Sequence, residues 1–210
     1  YDPNYICNHT DSHGRYSFSN QPSIAEWNCY ALASALIDLF SETELRDILS
    51  KFNDYFYDSL IEKYRKKLGF KSTQDSDYDL LLGLFEIMET EKLDYTNTFR
   101  DLSMIISSSD DLKLSGNFSS WLVSYKARLG KDENNIEQSI LLMNENNPKY
   151  ILRNYLAQSA IEDAEEGKSE KIDQLVKVLS NPFDDLGKSM EKYCKPAPKE
   201  YQNQQLSCSS

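Results

Sequence analysis

The stretch Thr43-Glu44-Leu45-Arg46-Asp47-Ile48-Leu49-Ser50-Lys51-Phe52-Asn53-Asp54-Tyr55-Phe56-Tyr57-Asp58-Ser59-Leu60-Ile61-Glu62-Lys63-Tyr64-Arg65-Lys66-Lys67-Leu68-Gly69 decides the fold class. Leu45, Ile48, Leu49, Phe52, Phe56, Leu60, Ile61, Tyr64 and Leu68 recur with the period of a helix face, not the alternation of a strand. Thr43 stands where an N-cap belongs, and Gly69 stops the pattern. Arg65, Lys66 and Lys67 lie where a helix dipole favours cations. The spacing predicts one long helix.

The same period extends in both directions. On the N-terminal side Trp27, Tyr30, Ala31, Leu32, Ala35, Leu36 and Leu39 mark a helix entered through Pro22. On the C-terminal side helices are predicted from Tyr78 to Glu89, from Tyr95 to Ser107, around Phe118–Tyr125 and around Ile136–Met143. A further pattern runs from Tyr150 to Glu166 and stops at Gly167; the last, Ile172 to Leu179, ends at Asn181-Pro182. No stretch has a convincing period of two, so the chain is predicted to be all-α. Residues 1–22 form a polar loop, 23–194 a helical body and 195–210 an extended C-terminal tail.

Composition agrees. Seven glycines and six prolines in 210 residues are too few for a turn-rich β architecture. With 34 acidic against 23 basic residues the net charge is −11, which disfavours nucleic acid and anionic membrane as partners. No apolar run approaches the roughly 18 residues that span a bilayer; Tyr30–Leu39 is broken by Ser34 and Asp38. The chain opens on Tyr1-Asp2-Pro3 without Met, and the expectation is a fragment that starts within a longer protein.

Three constellations could carry chemistry. Cys7, His9, Asp11 and His13 alternate, so an extended backbone would turn them to one face as zinc ligands. Structural zinc sites draw on separated ligand pairs, however, and a hydrogen-bonded polar loop accounts for the same residues. Asp75, Asp77, Asp79 and Glu86 imitate a calcium loop, but Leu80 stands where the sharp turn needs glycine. Acidic residues at a helix start explain them better. Of the cysteines, Cys29 and Cys194 read as packing residues, whereas Cys7 lies in the polar loop and Cys208 near the end, where a thiol suits chemistry better than packing. The sequence holds no phosphate-binding glycine loop, no GxSxG elbow and no HExxH.

Several strings carry a resemblance. Tyr1-Asp2-Pro3-Asn4-Tyr5-Ile6-Cys7-Asn8-His9-Thr10-Asp11, Gly14-Arg15-Tyr16-Ser17-Phe18, Asn20-Gln21-Pro22 and Trp27-Asn28 resemble the selenoprotein O family. So do Asp94-Tyr95-Thr96-Asn97-Thr98-Phe99-Arg100, Asn147-Pro148-Lys149-Tyr150-Ile151-Leu152-Arg153-Asn154-Tyr155-Leu156-Ala157 and the ending Ser207-Cys208-Ser209-Ser210, where selenoprotein members place selenocysteine at the position of Cys208. The resemblance runs through the whole chain. It implies the helical C-lobe and C-terminal extension of a protein-kinase-like (pseudokinase) fold that transfers AMP from ATP to hydroxyl side chains of proteins.

The family's glycine-rich loop, nucleotide clamps, catalytic Asp and metal ligands would lie upstream of Tyr1. ATP and Mg²⁺ are therefore implied for the full-length protein, with no catalytic, cofactor or metal residue carried onto this chain. Residues 1–22 would correspond to the activation segment, with Asn8, His9, Asp11 and Arg15 as its candidates. The resemblance also implies a redox latch, a disulfide between Cys7 and Cys208. Expected partners are protein substrates, redox-related ones among them, and the missing N-terminal catalytic half. Bacterial cytoplasm and mitochondrion are both compatible with the family. The alternative from a different class is a stand-alone helical interaction module without catalysis.

Overall fold

The structure, a computed structural model, describes residues 1–6, 10–107, 115–132 and 135–201. Among these residues it is all-helical: α1 (Gln21–Ala35), α2 (Glu42–Leu49), α3 (Phe52–Lys67), α4 (Asp77–Thr90), α5 (Tyr95–Ser107), α6 (Gly116–Leu129), α7 (Ile136–Asn146), α8 (Asn154–Glu165) and α9 (Glu170–Ser180). Short 3-10 segments lie at Phe18–Asn20, Lys188–Tyr193 and Lys199–Tyr201, the last inside the stretch expected to be extended coil. None of the described helices is long and apolar enough to cross a membrane. Among the described residues the chain divides into two compact units, one comprising Asp2–Lys63 and the other Tyr1 with residues 64–201.

In the first unit the long helix expected from Thr43 to Gly69 is two helices. Its N-cap is Ser41, not Thr43. Ser41 has extended dihedrals, its hydroxyl accepts the Glu44 amide at 3.3 Å, and the Glu44 carboxylate accepts the Ser41 amide at 3.1 Å. This reciprocal capping box satisfies two donors that the first helical turn would leave orphaned. The break falls at Ser50-Lys51. There the Ser50 hydroxyl donates to the Asp47 carbonyl at 2.9 Å, and the Lys51 amide tightens onto the Ile48 carbonyl at 3.2 Å. A serine that bonds back to the preceding turn competes with the helical ladder, a contest the apolar period does not reveal.

The second unit holds the interior. α3 ends there in a Schellman motif: Gly69 has φ +76°, its amide donates to the Lys66 carbonyl, and the Phe70 amide donates to the Arg65 carbonyl. A Cβ at Gly69 would stand 2.8 Å from Met143 Cγ, so glycine also sets how closely the end of α3 approaches α7. α5 packs on α7 and α4 on α6. Phe70, Leu84, Met88, Phe99, Leu102 and Tyr125 are completely buried between them. A second apolar cluster joins Ala160 of α8, Leu175 and Val178 of α9, and Tyr150, Met190 and Tyr193.

The helix expected to begin at Tyr150 begins at Asn154. Asn147 precedes a proline and is extended, which excludes it from a helix. Arg153 is extended as well, and the amides of Lys149 and Tyr150 both donate to the Pro182 carbonyl, at 2.6 and 3.1 Å, which holds the stretch before Asn154 out of the helix. The apolar period of 150–153 is real but serves core packing: Tyr150 is 1% exposed.

Candidate functional site

The polar loop of the first unit is built by its own hydrogen bonds. Asp11 accepts the amides of Arg15 and Tyr16 on its two carboxylate oxygens, at 2.9 and 2.7 Å, an Asx-type closure. The side chains of Asn20 and Gln21 donate to the Arg15 and Tyr16 carbonyls, each at 2.6 Å. The Arg15 guanidinium lies 4.3 Å over the Trp27 ring, a cation–π contact that ties the loop to α1. Ser19 and Phe18 donate to the carbonyls of Pro3 and Tyr5, closing the base of the loop.

Of the candidates read from sequence, Asp11 and Arg15 thus come together as framework of one loop. Asn8, His9, Cys7 and Cys208 lie outside the described residues, so the proposed zinc quartet is described only at Asp11 and at His13, which is exposed. Among the described residues no three His, Cys, Asp or Glu side chains are grouped to hold a metal. The imitation of a calcium loop is dispersed: Asp75 and Asp79 are exposed, while Asp77 is turned inward at the start of α4.

Asp77 belongs to an ionic cluster that sequence reasoning missed. Arg128 of α6 donates through Nε to Asp77 Oδ1, through Nη2 to Asp77 Oδ2 at 3.0 Å, and through Nη1 to Asp132 at 3.1 Å. Arg128 is 4% exposed, and its guanidinium also covers the Phe70 ring at 4.3 Å. Burial alone would raise the Asp132 carboxyl, but the Ser72 hydroxyl, the Lys71 amide and Arg128 outweigh it and hold Asp132 below the usual carboxylate range. The cluster fastens the segment before α4 to the end of α6.

Two of the strings that carried the family resemblance meet in space. Asp94 and Arg153 form a bidentate pair at 2.6 and 3.0 Å, and Asn97 accepts from the same guanidinium at 3.2 Å. Arg100 donates to the carbonyls of Asn144 and Asn147 at 3.0 and 2.9 Å, and the Asn147 amide group donates to the Lys67 carbonyl at 2.8 Å. Those strings are therefore a clasp among α3, α5, α7 and α8. Beside it a cavity of about 500 Å³ is lined by Arg100, Asp101, Met104, Lys149, Asp185 and Cys194. Within it Lys149 and Asp185 pair at 2.8 Å. Burial and the neighbouring Asp94 charge push the Asp101 carboxyl up, with Arg100 partly offsetting them.

Lys67, at the end of α3, lies 5.0 Å over the Phe99 ring and 5.8 Å over the Tyr95 ring, and donates to the Asn146 carbonyl at 3.4 Å. Burial lowers its ammonium from the ordinary 10.5 to about 8. These arrangements join helices; Asp11, Asp94 and Asp132 already accept from amides, hydroxyls or guanidinium groups.

Comparison with known proteins adds what this geometry does not. A family model described as Protein adenylyltransferase SelO matches residues 1–180. A protein nucleotidyltransferase YdiU from Pseudomonas fluorescens (strain Pf0-1) is 39% identical over 217 aligned residues, covering 100% of this chain and 44% of that protein. The protein of the same name from Cupriavidus metallidurans is 34% identical, with 100% and 42% covered, and that from Stutzerimonas stutzeri 38%, with 100% and 44%. The chain thus spans less than half the length of the curated relatives it matches.

Proposed function

The chain belongs to the SelO protein adenylyltransferase family, and from that premise we propose that it is the C-terminal part of an enzyme that transfers AMP from ATP to hydroxyl side chains of proteins. The observation that carries the reading is the match over residues 1–180 together with relatives named nucleotidyltransferases at 34–39% identity. In this reading residues 1–22 are the activation segment, 23–194 the C-lobe and helical extension of a kinase-like fold, and 195–210 the tail.

Nucleotide and Mg²⁺ are assigned to the portion of the protein that the relatives carry beyond this chain. Asp11, the candidate carboxylate of the loop, accepts the Arg15 and Tyr16 amides on its two oxygens and so closes the loop. Phosphoryl-type transfer depends on positioning and on cationic and metal neutralisation of the phosphates. The contribution of this chain is then positioning, through the loop fixed on Trp27 and the clasped helices.

The test is incubation of the full-length protein and of this 210-residue chain, separately, with Mg²⁺ and ATP labelled at the α-phosphate. Label in AMP–protein adducts is expected with the full-length protein and not with the chain alone. A full-length protein that labels no protein hydroxyl rejects the activity; label from the chain alone rejects the assignment of the chemistry to the missing part. The Cys7–Cys208 latch is a separate element of the proposal. Mass spectrometry of a non-reduced digest after oxidation is expected to yield the linked peptides, and recovery of both thiols free would overturn it.

A further inference from the structure

The cavity beside the Asp94–Arg153 clasp has a volume of about 500 Å³, within the roughly 300–1,000 Å³ of small-molecule sites. Its walls come from α5, from Asn144 of α7, and from Lys149, Asp185 and the segment 191–195, all in the unit that contains Tyr64 and the chain after it. Most of its polar groups are engaged within the protein. Lys149 and Asp185 neutralise each other at 2.8 Å, and Asp185 also accepts the Gly187 amide at 2.9 Å. The Ser103 hydroxyl bonds to Asn144 Oδ1 at 3.0 Å, and Asn97 is held between the Cys194 carbonyl and Arg153.

Two charges in the wall have no counter-ion within ion-pair distance among the described residues. Arg100 spends Nη1 on the carbonyls of Asn144 and Asn147 and forms no ion pair; Asp101 forms neither a hydrogen bond nor an ion pair. They are neighbours on α5. Successive side chains on a helix diverge by about 100°, so the two line one cavity without closing on each other. Both are partly buried, and burial pushes the Asp101 carboxyl up and the Arg100 guanidinium down. A charge stripped of water and left unpaired is costly, and an occupant of complementary charge removes that cost.

The pattern of signs selects the ligand. A simple anion would meet Asp101 and the −11 net charge of the protein, and a simple cation would meet Arg100 beside Lys149. A small molecule with one charge of each sign, a few bonds apart, satisfies both groups. We propose that this cavity binds a free α-amino acid, its carboxylate received by Arg100 and its ammonium by Asp101. The guanidinium has donors beyond the Nη1 used on the two carbonyls, and its planar fork suits a carboxylate. Lys195 and Glu191, exposed in the same wall, repeat the two signs.

Binding is read without ATP, so the site stands or falls apart from AMP transfer. The full-length protein is titrated calorimetrically with each common L-amino acid, up to about 10 mM, where a site of millimolar affinity is mostly filled. At least one is expected to bind, and to slow amide exchange in the peptides covering 97–104 and 188–195. N-acetylation or amidation of that amino acid removes one charge, and each is expected to weaken binding at least roughly ten-fold. Asp101→Asn is expected to weaken it to a similar degree while keeping the circular dichroism of the parent; the two blocked forms test the same contacts in the unaltered protein if the variant does not fold. Binding of no amino acid, or slowed exchange only outside those peptides, would overturn the proposal. Undiminished binding of the amidated form would overturn it in favour of a simple ammonium ligand, and undiminished binding of the N-acetyl form in favour of a carboxylate alone.

Discussion

From Tyr64 onward the chain completely buries Phe70, Leu84, Met88, Phe99 and Tyr125 and carries a buried ionic cluster, whereas Asp2–Lys63 buries Ser17 and no apolar side chain among its described residues. Both regions are helical, and both have capped or stopped helices of ordinary sequence. The difference lies in what the helices face. α4, α5, α6 and α7 supply partners for one another. α1 carries apolar residues all round, and among the described residues of its own unit it packs on α2 and the short Phe18–Asn20 segment. Local helix signals thus set the elements in both regions, while only one region contains the surfaces that complete a core.

This contrast can be broken by substitution. Arg128→Ala should have the largest effect, about 3–5 kcal/mol of lost stability, because it strands Asp77 and Asp132 as buried unpaired carboxylates. Urea unfolding followed by circular dichroism measures it, and a midpoint unchanged from the parent chain would remove the cluster from the account of the interior. Lys67 tests the same region by pH. Its folded value lies below its unfolded one, so between about pH 8 and 10.5 the unfolded state binds more protons. Its contribution to stability therefore rises with pH across that window. Replacing it by Met is expected to abolish that component, so the stability of the parent relative to the variant should rise from pH 7.5 to 9.5; a constant difference would show that burial does not perturb the ammonium.

In the other region the effects are smaller. Ser41→Ala removes the capping box of α2 and is expected to cost about 1 kcal/mol. Loss of helical signal confined to a few residues by amide exchange would separate this local effect from global unfolding. Leu32→Ala in this chain should change stability by less than about 0.5 kcal/mol, as for an exposed side chain. A loss of the roughly 2–5 kcal/mol typical of a buried leucine would erase the distinction between the regions.

Helix existence was legible because each apolar period is local. α5 has the bounds its pattern predicts, Tyr95–Ser107, and Gly167, at φ +79°, closes α8 as Gly69 closes α3. The break at Ser50-Lys51 and the delayed start of α8 were not legible. In each a polar or extended segment diverts backbone donors or acceptors, at Pro182 with a partner far along the chain. The Arg128 cluster was hidden for the same reason: Asp77 lies 51 positions from its partner, and nothing near either residue marks the pairing. Of the site candidates, the loop character of Asp11 and Arg15 was readable from their polar neighbours. The family strings pointed to residues 94–100 and 147–157, but their clasp is visible only once α5 and α8 are brought together.

The two amides held by the Pro182 carbonyl have a consequence for how the protein changes length. They pin Lys149 and Tyr150, just before α8, to the residue just after α9, so the helical hairpin is closed at its root. At its tip Gly167 has open space where a Cβ would stand. Insertions there would project outward without moving the root. The hairpin is thus a place where descendants of one ancestor can differ in size while the anchored body keeps its register.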